Sequence, residues 1–118
     1  AWGGHRLRFL WTSEDCDVDA TPEDPTNPFK PNYKKRLSRI WSAFSEYSEK
    51  NTLMIDDSAG KLDQHPDNHL HISEYKITDP QVDFLQDTAL RDLSRKIEVV
   101  KWDECEDIRE ALGLLMAE

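Results

Sequence analysis

Two adjacent carboxylates, Asp56 and Asp57, end a short apolar run at residues 52–55 (TLMI), and Ser58, Ala59 and Gly60 turn the chain directly after them. Neighbouring side chains on a tight turn point in different directions. One carboxylate can then ligate a hard cation while the other accepts hydrogen bonds from its surroundings. Mg2+ binds carboxylate and water oxygens and completes its shell with substrate phosphate. The chemistry such a pair suggests is phosphoryl transfer, with a nearby lysine neutralising the charge that moves. The same dipeptide also makes an ordinary solvated turn, and taken alone it leaves both readings open.

A candidate lysine lies upstream. Leu37, Ile40, Trp41, Phe44 and Tyr47 fall at i, i+3, i+4, i+7 and i+10 and predict a helix over residues 32–47. Lys34, Lys35 and Arg36 would occupy its first turn, where cations oppose the helix dipole. A positive cluster there calls for another reason, such as an anion to bind.

The elements that must position these groups read as follows. Residues 6–11 (RLRFLW) suggest a short, largely buried strand. Residues 12–31 hold Pro22, Pro25, Pro28 and Pro31 with several acids and read as a loop. Residues 52–55 and 70–72 read as strands, with a turn at Pro66, Asp67 and Asn68 between them. Asp79 can cap a helix that starts at Pro80, with Val82, Leu85, Ala89, Leu90 and Leu93 on its apolar face. Ile108, Ala111, Leu112 and Leu115 mark a last helix over residues 104–116. Strand, helix, strand, turn, strand and then helices is the order of a partly parallel α/β sheet. In such sheets chemistry sits beyond the C-terminal ends of strands, where Asp56 and Asp57 fall.

Composition narrows the classes. The chain has 118 residues, one domain's length, with 37% hydrophobic and 33% charged residues and a net charge of −9. That charge argues against direct nucleic-acid binding and against an anionic membrane surface, and no apolar run is long enough to span a bilayer. Cys16 and Cys105 form neither a disulfide framework nor a CxxC metal site, which suggests a reduced intracellular protein, nuclear or cytoplasmic, with mitochondria left open. His5, His65, His69 and His71 do not have metal-site spacing, although His69 and His71 share a strand face. Trp2, Trp11, Trp41 and Trp102 read as packing residues.

The longer context is more specific. Asn51-Thr-Leu-Met-Ile-Asp-Asp-Ser58, followed by His65-Pro-Asp-Asn68, resembles the C-terminal half of the FCP/SCP-type phosphatases, the NLI-interacting-factor-like branch of the haloacid dehalogenase superfamily. The resemblance extends to Phe9-Leu10-Trp11 with Cys16, to Lys35-Arg36-Leu37, and to residues 87–93, about residues 7–112 together. It implies a Rossmann-like parallel sheet with flanking helices, a single partial domain over residues 1–118, incomplete at its N-terminal side. It also implies a Mg2+-dependent protein Ser/Thr phosphatase. By matching position, Asp57 would ligate the metal, Asp56 would support it and hold Lys35, Lys35 would bind the phosphate, and Ser58 would fix the turn. The partners implied are a phosphoprotein substrate and the remainder of the domain or a partner chain.

The family's nucleophile lies in Asp-x-Asp-x-Thr at the end of the first strand, where the first Asp attacks phosphorus and the second acts as general acid and base. Asp17-Val18-Asp19-Ala20-Thr21 matches that string, but residues 12–16 are polar and only positions 22 to 34 separate it from Lys35. A loop is the expected home of this string, and the nucleophile is expected outside this segment. The alternative is a catalytically inactive phosphatase-like module kept for binding or assembly.

Overall fold

The computed structural model describes residues 6–117, apart from the side chains of residues 82–84. Trp2, His5 and the side chain of Val82 therefore lie outside the described residues. The architecture is mixed α/β, with two small sheets and four α-helices among the described residues: β1 (Asp17–Asp19), β2 (Asn32–Lys34), α1 (Leu37–Ala43), β3 (Met54–Asp56), β4 (His69–His71), α2 (Pro80–Gln86), α3 (Ala89–Glu98) and α4 (Ile108–Ala117). None of these helices is long and apolar enough to cross a membrane.

The parallel pairing expected of the sheet is present as β3 and β4, with Met54 opposite His69, Ile55 opposite Leu70 and Asp56 opposite His71. Single-turn 3-10 segments Ala59–Leu62 and Pro66–Asn68 make the connection. Asn68 locks it by donating from Nδ2 to the carbonyls of Glu49 and Thr52 at 2.7 and 2.8 Å. Buried Leu70 packs with Ile108 and Leu112 of α4, and Leu53, Leu93, Ile97, Trp102 and Cys105 close around them. This cluster fixes the height of β3 and β4 against the C-terminal helices.

Five expectations are corrected. Residues 6–11 form no strand. They find no ladder partner, and the segment is held by rings instead: Phe9 stacks on Phe44 at 4.7 Å and lies 5.4 Å from Trp11, while Leu7 and Leu10 face solvent. Residues 12–31 are not all loop, because β1 pairs antiparallel with β2. The helix over 32–47 is shorter: Asn32–Lys34 are taken into the hairpin, and the helix ends at Ala43 because Phe44 turns extended to reach Phe9. Lys34, Lys35 and Arg36 thus precede the helix, and the dipole argument for their placement does not apply. The helix from Pro80 breaks after Gln86, where the Asp87 carboxylate accepts the Ala89 N–H at 3.1 Å and restarts the chain as α3. Its start is as expected, with the Asp79 carboxylate accepting the Gln81 N–H at 3.1 Å. The last helix starts at Ile108 rather than Glu104, since Asp107 accepts the Arg109 N–H at 3.0 Å.

The core is small. Among the described residues five apolar side chains are buried, Leu37, Leu62, Leu70, Ile108 and Leu112. The radius of gyration is 16.3 Å, against about 13.5 Å for a compact domain of this length. Leu85, Leu90 and Leu114 on the helices and Ile55 on β3 remain exposed. Parallel strands are ordinarily covered on both faces, so the exposure of Ile55 marks a face of this sheet that the described residues leave open.

Candidate active site

Asp56 closes β3 with its side chain turned inward, 8% exposed for the whole residue. A buried carboxylate must be paired or protonated. Here it is paired: Oδ2 receives the Lys35 ammonium, and Oδ1 accepts the Ser58 N–H at 2.7 Å. Burial pushes this carboxyl's pKa up, but the hydrogen bonds from Lys35 and the Ser58 amide, with the charges of Lys35 and Lys61, outweigh it and hold the carboxyl below its usual value. Asp56 is therefore an anchored anion. Its carbonyl is used as well, accepting the Ile72 N–H at 3.2 Å and lying 2.8 Å from His69 Nε2.

Lys35 reaches Asp56 from the short bridge between β2 and α1. Its N–H donates to the Lys61 carbonyl at 2.7 Å, and the preceding Lys34 donates from Nζ to the Gly60 carbonyl at 2.6 Å and to Asp63 at 3.1 Å. Consecutive residues of extended chain alternate sides, so Lys34 clamps the 59–62 turn while Lys35 enters the site. The Lys35 side chain keeps about a third of its exposure, 34%, and so its ammonium remains reachable by a ligand.

Of the four residues expected at the site, three meet. Lys35 and Asp56 are in contact, and Ser58 holds Asp56 through its backbone amide, its side chain making no capping bond to the turn. Asp57 is exposed on the outer side of the same turn and forms no hydrogen bond or ion pair with any described residue. One free hard-oxygen donor suits Mg2+, which is commonly held by one or two carboxylates with water and phosphate. Among the described residues no three His, Cys, Asp or Glu side chains are grouped to hold a metal.

One participant, Lys61, escaped the sequence reading. Lys61 adds its charge to Asp56 from the turn, and with Lys35 and Arg36 it lines a cleft of about 390 Å3 whose apolar wall includes Phe9, Trp11 and Met54. The only signal for Lys61 was its place four residues after Asp57. His65 packs edge-on against Trp41 at 5.1 Å, with Nε2 buried and unbonded among the described residues. Burial first, then the Arg36 charge, pushes its pKa below the ordinary histidine value, which makes it a neutral packing group. His69 and His71 stack edge to face at 5.7 Å.

The Asp17–Thr21 string has a different fate. A 3-10 turn precedes it, so Asp17 begins a strand rather than ending one. Its carboxylate takes Arg36 Nε at 2.6 Å and Arg39 at 3.3 Å, and Asp19 accepts the Thr21 N–H at 2.8 Å.

Residues 6–109 match the family model described as NLI interacting factor-like phosphatase. A comparison with curated protein sequences gave no match.

Proposed function

This chain belongs to the NLI interacting factor-like phosphatase family, and on that premise we propose that it supplies the lysine and metal-side carboxylates of a Mg2+-dependent phosphatase acting on phosphoserine and phosphothreonine in proteins. The attacking aspartate comes from outside residues 1–118, in the remainder of the domain or a partner chain. That complement adds strands to the open side of β3 and makes the sheet Rossmann-like. The observation that carries the reading is the Lys35–Asp56 pair beside an unpaired Asp57 at a strand's C-terminal end.

Each residue has a distinct task. Lys35 holds a phosphate oxygen with its ammonium and offsets negative charge as the phosphoester bond breaks. Asp56 aims that ammonium, and, against burial, its own carboxyl is held below its usual pKa by the Lys35 hydrogen bond first, then the Ser58 amide and the charge of Lys61. Asp57 would offer one oxygen to Mg2+, which would supply charge neutralisation at the phosphate. Ser58 sets the turn that separates the two carboxylates.

A catalytically inactive module is the second reading. It draws on the state of Asp17, the first residue of the only Asp-x-Asp-x-Thr string in the chain, whose carboxylate is engaged by two arginines. One experiment separates the two. The parent protein should hydrolyse an aryl phosphate such as p-nitrophenyl phosphate with Mg2+ and stop with EDTA, while the isolated 118-residue chain shows no turnover. Activity indifferent to EDTA overturns the metal role. Turnover by the isolated chain moves the nucleophile into the Asp17–Thr21 string, and a parent inert under all conditions leaves the binding module.

A further inference from the structure

In a chain whose net charge is −9, one cleft gathers cations. Lys35, Arg36 and Lys61 line it, beside an apolar wall that includes Trp11 and Met54. Two of these cations are answered by an acid in contact. Lys35 is held by Asp56, and Arg36 by Asp17 at 2.6 Å. Asp15 lines the same cleft, and its carboxylate accepts the Thr12 N–H at 2.7 Å. Lys61 differs from the other two cations. Its ammonium forms no hydrogen bond or ion pair with any described residue, and its charge acts on Asp56 only through space.

The turn that carries Lys61 is fastened to the bridge that carries Lys35. The Lys35 N–H donates to the Lys61 carbonyl at 2.7 Å. Lys34, whose side chain is 12% exposed, donates to the Gly60 carbonyl at 2.6 Å and pairs with Asp63 at 3.1 Å. Asp56 holds the start of the same turn, accepting the Ser58 N–H at 2.7 Å. The backbones of the two lysines are thus set side by side before a ligand arrives, and a site ordered in advance binds with a smaller entropy loss. Neighbouring ammonium groups repel each other, and an anion held beside both relieves that repulsion.

We propose, on the phosphatase reading above, that Lys61 is a second phosphate-binding cation of this site and sets its affinity for the phosphoester dianion. Lys35 and Asp56 together are close to neutral, so that pair aims a phosphate but supplies little net attraction for it. A phosphorylated side chain carries a charge of about −1.5 to −2 at pH 7. Lys61, which no carboxylate contacts, adds the positive charge that draws it in. This attraction acts on bound substrate and transition state alike. It therefore lowers KM and leaves the chemical step to Lys35 and the carboxylates.

The test measures binding of inorganic phosphate to the full parent protein by isothermal titration calorimetry, beside hydrolysis of p-nitrophenyl phosphate. Lys61→Gln and Lys61→Met should each weaken phosphate binding about tenfold and raise KM by a similar factor, with kcat falling far less. Lys61→Arg keeps the charge and should recover most of both. Circular dichroism should match the parent in all three, since the ammonium has no contacting partner to lose. Four results overturn the proposal: no phosphate binding by the parent; phosphate affinity unchanged in Lys61→Gln and Lys61→Met; a loss of kcat at constant KM, the mark of action through Asp56; or Lys61→Arg as weak as Lys61→Gln. Mg2+-dependent turnover with phosphate affinity indifferent to Lys61 removes this lysine's role and leaves the phosphatase reading standing. A parent that binds phosphate through Lys61 yet hydrolyses nothing supports the lysine's role and overturns the phosphatase reading instead.

Discussion

The chain carries two aspartate-rich strings, Asp17-Val-Asp19 and Asp56-Asp57, and they have opposite fates. The first begins a strand of the antiparallel hairpin, which is mostly half-buried. Both its carboxylates are taken locally, Asp17 by Arg36 and Arg39 and Asp19 by the Thr21 amide. The second ends a strand of a parallel pair. One of its carboxylates is buried on Lys35 and the other is left unpaired beside it. Residue type is the same in both places. Position relative to the strand decides whether a carboxylate is a structural clamp or an available ligand, because only beyond a strand's C-terminal end does the backbone turn away and leave a concave, partly desolvated space.

The largest expected effect is at Asp56. Asp56→Ala strands the Lys35 ammonium in a half-buried place and removes the acceptor for the Ser58 amide. Loss of about 2–3 kcal/mol is expected, below the range for a fully buried pair because Lys35 is partly solvated. A urea midpoint unchanged by this substitution would mean that the two strings do not differ in kind. Asp57→Ala sharpens the same contrast from the other side. Stability should stay within about 0.5 kcal/mol of the parent, while the Mg2+ concentration for half-maximal activity of the full phosphatase rises about tenfold or more. A fall in stability comparable to that of Asp56→Ala would erase the division of labour within the pair.

Part of this arrangement was legible in the sequence, and the boundary is physical. The apolar run ending at Asp56, the strand around Leu70, the Asp79-Pro80 helix start and the Ile108 and Leu112 face all follow from local pattern, because a buried side and a cap leave marks in one segment. The hairpin did not. Asn32–Lys34 continue a helical apolar period on paper, yet their hydrogen bonds go to Asp17–Asp19, a choice made by residues more than a dozen positions away. Phe44 likewise leaves the helix to stack on Phe9. The Lys35–Asp56 contact was expected from the resemblance, whereas Lys61, brought in by the turn, left no signal beyond its place four residues after Asp57.

Acid titration tests the contrast without mutation. The folded pKa of Asp56 lies below its unfolded value of 3.8. The stability this group contributes is thus fully present above about pH 4 and is lost as pH falls through the lowered folded value. Asp56→Asn should flatten that part of the stability curve between pH 4 and the acid transition. A curve with the same slope in parent and variant would mean that Asp56 is not held as an anion.

The smallest expected effect belongs to the other string. Asp17 is about a third exposed, at 35% of its side chain, and its partners Arg36 and Arg39 are exposed to a similar degree, at 29% and 43%. Solvent screens such pairs, and Asp17→Ala should lose only about 0.5–1 kcal/mol, with faster amide exchange confined to β1 and β2. Activity of the full phosphatase should be unchanged, since the clamp touches neither Lys35 nor Asp57. A loss of turnover out of proportion to that small destabilisation would mean that Asp17 leaves its arginines during the reaction. The comparison would then invert, with the hairpin string supplying the nucleophile to the lysine and carboxylates of the other.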